Sequence, residues 1–236
     1  MTTAAAPTQR ARQEPSHPAR YAAGRLALAS LGIGAALVLG ACASAKPPTY
    51  YTLAEPVAAA EVIGGAPTRA PLAIDVAPIQ MAQRWARPQL VVRQSGDAEG
   101  RAHILEEARW TSTFESEMRD ALAAGVAGRL GALDLSRTTA PREQTVYRVA
   151  VQMLDYDAQP DGQVRASFNW TLRRTDTDGR ALACSQRFEA PAANGVDGVA
   201  LATRRITSQL AGSVARGIAA LADGRTAATA ESGTCR

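Results

Sequence analysis

From Val164 to Leu172 every second residue is apolar. Val164, Ala166, Phe168, Trp170 and Leu172 alternate with Arg165, Ser167, Asn169, Thr171 and Arg173. Side chains on a strand point to opposite faces in turn, so this run has one packed face and one wet face. Such a strand needs neighbours to cover and pair with it. The flanking sequence supplies them. Val146 to Tyr156 puts Tyr147, Val149, Val151 and Met153 on one face, and Pro160-Asp161-Gly162 then turns the chain. On the other side Asp178-Gly179 is a hairpin signal. Leu182, Cys184 and Phe188 share a face up to Pro191. The pattern predicts an antiparallel meander with one packed and one solvated face.

Two amphipathic helices can cover that packed face. Ser112 with Glu115 three residues on forms a capping box. Behind it Phe114, Met118, Leu122, Val126 and Leu130 recur every four residues, and Gly131 closes the helix. Glu115, Glu117, Arg119, Asp120 and Arg129 take its wetter sides. The second helix runs from about Asp197 to Leu221, with Val199, Ala202, Ile206, Leu210, Val214 and Ile218 along one side. Shorter strands are expected at Tyr50–Leu53, at Leu72–Ile79 (ended by Pro78), at Gln89–Gln94 and at Ala102–Leu105. A loop from Ala54 to Pro71 and a connector from Gln80 to Pro88, carrying Trp85 and Arg87, join them. Six or seven strands and two helices predict a single α+β domain, with a mostly antiparallel sheet and both helices on one face.

The N-terminus reads as a leader. Met1 to Gly24 is polar and turn-rich, and Arg10, Arg12, Arg20 and Arg25 face a single acid, Glu14. Leu26 to Ala41 is apolar or small, and shorter than the ~20 residues a helix needs to cross the hydrocarbon core. Leu39-Gly40-Ala41-Cys42 follows, in the form of a lipobox. Cleavage between Ala41 and Cys42 would leave Cys42 to carry the lipid. Several acyl chains, at roughly 0.8 kcal/mol per buried methylene, hold such a protein firmly on a membrane. Ala43, rather than Asp, follows the cysteine, which by similarity to enterobacterial lipoprotein sorting favours the outer membrane. The expected division is a signal peptide over 1–41, a lipidated tether and first strand over 42–53, the main domain over 54–222 and a tail over 223–236. Ala43 to Thr49 reaches about 25 Å, so the folded domain works close to the membrane surface.

The leader also accounts for most of the charge. The whole chain carries +4 and the leader +3, which leaves about +1 on the mature protein. Lys46 is the only lysine, and arginine forms no run, so nothing points to nucleic acid. With Cys42 lipidated, Cys184 and Cys235 remain as an even pair in an oxidising compartment. They are either a disulfide stapling the tail to the body or two free thiols.

No catalytic constellation stands out. The mature chain has one histidine, His103, and any Ser-His-Asp or Cys-His arrangement would have to use it. No serine lies in a nucleophile elbow, and no glycine-rich phosphate loop ends in Lys. One histidine and two distant cysteines do not make a transition-metal site. Glu106 and Glu107 are adjacent on a strand and point to opposite faces. The reading is a non-enzyme, with no cofactor and no metal.

A family resemblance rests on four segments. Tyr50-Tyr51-Thr52-Leu53 follows the lipobox cysteine, and Ile74-x-Val76-x-Pro78-Ile79 comes next. Then come Arg87-Pro88-Gln89-Leu90-Val91-Val92-Arg93 and Glu107-x-Arg109-Trp110, which leads into the first helix. In that order the chain resembles the ABC-type transport auxiliary lipoproteins, a family that includes the lipoprotein of the paraquat-inducible MCE system. The resemblance implies a non-enzymatic lipoprotein on the periplasmic face of the outer membrane. It implies docking to an MCE-domain protein, an indirect link to an inner-membrane ABC ATPase and permease, and possible assembly as a homo-oligomeric ring. Tyr50, Tyr51, Arg87, Arg93 and Trp110 are the candidate interaction residues. The alternative is an envelope scaffold lipoprotein that binds a cell-wall synthesis or secretion complex.

Overall fold

A computed structural model describes residues 47–54, 72–97, 100–138, 144–175, 181–224 and 233–235. The leader, Ala41, Cys42 and the Asp178-Gly179 turn lie outside the described residues. In chain order the elements are β1 (Thr49–Tyr51), β2 (Ala73–Val76), β3 (Gln89–Val92), β4 (His103–Trp110), α1 (Phe114–Leu130), β5 (Leu133–Asp134), β6 (Val146–Ala158), β7 (Gly162–Arg174), β8 (Leu182–Ala192), α2 (Gly195–Ala222) and β9 (Gly233–Cys235).

The expected meander is the centre of the fold. β6, β7 and β8 pair antiparallel, with Val151 opposite Trp170 and Trp170 opposite Cys184. All five inward residues of β7 are buried. The strand period breaks once, in β6. Strict alternation from Met153 would bury Asp155 and expose Tyr156. A register shift between Met153 and Asp155 exchanges the two faces. Asp155 and Leu154 end up exposed and Tyr156 buried, as one extra residue in a strand dictates.

The remaining strands depart from the expectation. β2 pairs parallel with both β5 and β6, giving a six-stranded sheet in the order β5-β2-β6-β7-β8-β9. β1, β4 and β3 form a second, three-stranded sheet, in which β1 is parallel to β4 and β3 antiparallel to it. β5 and β9 are too short to carry a sequence pattern, so the expected six or seven strands undercount. β4 also runs on to Trp110, past the expected Leu105, because β1 and β3 pair with it on opposite edges.

Helix boundaries show local chemistry at work. The cap of α1 is Thr113, not Ser112: its hydroxyl accepts from the Ser116 N–H at 3.3 Å. Glu115 does not close a capping box; its carboxylate accepts from the Ile79 N–H at 2.8 Å. Gly131 ends the helix in the left-handed region, at φ 60°. α2 starts two residues earlier than expected, after a left-handed Asn194, and Asp161 in the β6–β7 turn accepts from the Gly195 N–H. The helices pack on each other and on the large sheet, α1 beside β2 and α2 across β7 and β8.

Gly198 shows how tightly α2 is seated. A Cβ there would sit 1.8 Å from the Ala193 carbonyl oxygen, which belongs to the backbone and has little room to yield. Gly198→Ala should therefore cost about 3 kcal/mol, the upper end for overpacking. For a domain of this size that is a fall in Tm of roughly 6–12 °C by calorimetry.

Candidate functional site

The N-terminal end of the described domain is built around Glu117. This residue lies on α1 one turn after Phe114, close to the apolar stripe, and is only 8% exposed. Its Oε2 accepts from the Thr52 hydroxyl and the Leu53 N–H, both at 2.9 Å. Its Oε1 accepts from the hydroxyls of Thr111 and Ser112. Burial raises a carboxyl group's pKa, but here the four donors outweigh it and hold Glu117 below its ordinary value. Two further bonds tie the same segment to α2. Arg204 donates to the Thr52 carbonyl at 2.9 Å, and the Tyr51 hydroxyl donates to Asp197 at 2.7 Å. Burial, together with the Asp197 carboxylate, pushes the Tyr51 phenol up to about 12. β1 and the two residues after it are therefore clamped to both helices at once.

An aromatic chain runs inward from this clamp. Tyr51 meets the edge of Trp110, Trp110 stacks on Phe114 at 5.2 Å, Phe114 leans on Tyr156, and Tyr156 meets Trp85. Trp85 and Tyr156 then form part of the wall of an open cleft of about 440 Å³, between the turn before β3, the β3–β4 hairpin and the end of β6. Arg84, Arg87, Arg93 and Arg101 line it, against Asp155 and Asp157. Arg93 grips Asp157 through two bonds, of 3.0 and 2.6 Å. Arg165 also approaches Asp157, at 3.7 Å. The Arg84 guanidinium lies 3.8 Å over the Trp85 ring. Among the described residues the buried Arg87 Nε has no hydrogen-bond partner, which costs on the order of 1–3 kcal/mol.

The five candidate interaction residues take different positions. Tyr50 is exposed, at 58%, on β1. Tyr51 is half-buried in the clamp. Trp110 is 3% exposed inside the aromatic chain, so it packs the core and offers no outer surface. Arg87 and Arg93 share the cleft, and their backbones are joints as well. The Arg87 carbonyl accepts from the Phe114 N–H, and the Arg93 N–H donates to the Ala158 carbonyl. Cys184 and Cys235 stand opposite each other across β8 and β9 and are joined by a disulfide. His103 faces Asp97 at 3.0 Å. The backbone N–H of Gln94 and the His103 ring hold the Asp97 carboxyl below its usual range. Among the described residues no group of His, Cys, Asp and Glu could hold a metal ion. None of their helices is long and apolar enough to cross a membrane.

Glu117, expected on a wet side of α1, is instead buried at the clamp. The available signal was its spacing: it lies three residues after Phe114, next to Met118, on the face the stripe defines. Arg84 and Arg101 carried no signal, because only the hairpin brings them to the same cleft.

Fold and site together define a small α+β domain with a clamped N-terminal strand and an arginine-rich cleft. Residues 51–215 match the family described as the ABC-type transport auxiliary lipoprotein component, and the chain belongs to that family. Two crystal structures share its fold. One, of an uncharacterized protein, has 18% identity and a TM-score of 0.56, and covers 73% of this chain and 99% of its own. The other, a Xanthomonas campestris protein assigned to DUF330, has 17% identity and a TM-score of 0.51, and covers 77% and 99%. No curated protein matches the chain.

Proposed function

We propose that the protein is a non-enzymatic, outer-membrane-anchored accessory lipoprotein of an MCE/ABC-type intermembrane lipid transport system, with Cys42 as its lipid attachment site. The family match over residues 51–215 carries this reading. It begins nine residues after Cys42, at the strand that the Glu117 clamp holds. That arrangement suits a short tether, because a pull on the anchor meets hydrogen bonds into both helices rather than a loose loop. Tyr50, exposed beside the tether, is the first candidate for partner contact.

Cross-linking in membranes of the native host, followed by affinity capture of the full-length protein, should recover an MCE-domain protein. Recovery of a cell-wall synthase or a secretion component in its place would support the envelope-scaffold alternative and sink the transport reading. Cys42→Ala should move the protein from the membrane pellet to the soluble fraction or stall it as precursor. A mature-sized product still in the outer-membrane fraction would remove the anchor from the proposal.

A further inference from the structure

The geometry points to the basic cleft beside Trp85 as a binding site for the head of a phosphate-bearing amphiphile. The first support is uncompensated charge. Asp157 is already engaged by Arg93 and Arg165. Asp97 is held by the Gln94 N–H and His103, with Arg101 at 3.7 Å. Among the described residues neither Arg84 nor Arg87 has an acidic partner within ion-pair distance, and the Arg87 Nε is buried without an acceptor. Against the four arginines that line the cleft stand two lining carboxylates, Asp155 and Asp157, so guanidinium groups outnumber carboxylates two to one. A phosphate, with several charged oxygens, suits the guanidinium fork.

The second support is the wall. Trp85, Val92 and Tyr156 are buried behind the cleft, and Ile104 stands on its rim at 45% exposure. A free inorganic anion would use none of this apolar surface. The volume of about 440 Å³ lies in the range of small-ligand pockets. It takes a headgroup and the segment next to it, with long acyl chains left outside. The Arg84 guanidinium, 3.8 Å over the Trp85 ring, is placed at this wall by a cation–π contact. The inference rests on the proposed envelope location only in that phospholipid is then within reach.

The test uses the full-length lipidated protein in neutral detergent. It is titrated with dihexanoyl phosphatidylglycerol, with dihexanoylglycerol, which lacks phosphate, and with inorganic phosphate, followed by calorimetry. The expected result is saturable binding of the phosphatidylglycerol and none of dihexanoylglycerol. Binding should weaken at least tenfold in the Arg84→Gln/Arg87→Gln double variant and stay unchanged in Arg137→Gln, whose partner Asp120 lies on α1. Among the described residues neither replaced guanidinium pairs with an acid, so the double variant should keep the wild-type circular dichroism. Three results would overturn the site: no saturable binding by the wild-type protein, equal binding by the double variant, or inorganic phosphate binding as tightly as the lipid. Displacement of the lipid by hexaglutamate at equal concentration would reassign the cleft to an acidic peptide. A failed titration leaves the MCE cross-link untouched, and a failed cross-link leaves the titration untouched.

Discussion

Glu117→Ala should destabilise the domain by about 3 kcal/mol, seen as a lower urea midpoint with little change in slope. Hydrogen bonds to a charged group contribute roughly 1.5–3 kcal/mol each. Simple addition over four donors overshoots, because Thr111 and Ser112 are exposed and can turn to water. The Leu53 N–H cannot, since Leu53 is fully buried. Glu117→Gln keeps one acceptor and the side-chain volume, and should lose roughly half as much. The pH dependence separates charge from shape. The folded-state pKa of Glu117 lies below its ordinary 4.5. Its stabilisation is therefore fully present above 4.5 and is lost as pH falls through the lowered folded value. Between pH 7 and pH 4 the wild-type protein should lose more stability than Glu117→Gln does. Parallel pH curves for the two would mean that the clamp does not depend on the charge. Proteolysis gives an independent readout: with the clamp broken, cleavage near Thr52 should outpace global unfolding.

Cys235→Ser should cost roughly 4 kcal/mol, the largest loss expected from a residue outside the core. Cys184 and Cys235 are 51 residues apart in sequence. Closing a loop of that length removes about 4 kcal/mol of chain entropy from the unfolded state, by the polymer estimate. Reductant should destabilise the wild-type protein by a similar amount and leave Cys235→Ser unaffected. Local effects should follow. β9 covers the outer edge of β8 only through Cys184, Ser185 and Gln186. Without the bond three residues of pairing are too few to hold the tail, and hydrogen exchange at that edge should rise first. Equal unfolding midpoints with and without reductant would show that the thiols are not joined in the protein as isolated.

The sequence exposed those parts of the structure that follow from local period. β7 reads directly from alternation between Val164 and Leu172, and α2 from its apolar stripe. The turn at Pro160-Asp161-Gly162 announces itself through residues that tolerate bends: Asp161 adopts φ 57°. The face exchange in β6 did not show, because alternation counts residues and a bulge changes the count. Nor did the parallel pairing of β2 with β6. Pairing direction depends on where a crossover returns the chain, which no local pattern encodes.

The site divides in the same way. The tyrosine pair and the two cysteines could be named from the sequence because each is a chemical type in a telling context. Trp110 was named for the same reason, and the fold turned it inward onto Phe114. Glu117 looked like a solvated acid until the segment after β1 arrived from 65 residues away with the Thr52 hydroxyl, and beside it the Leu53 N–H, to give it. The sequence by itself determined the class of the fold, its two helices, its central meander and its resemblance to a lipoprotein family. Only the tertiary structure decided which charges are satisfied and which are left over. Long-range approach sets that balance, and it is what makes Glu117 a clamp and leaves Arg84 and Arg87 facing an open cleft.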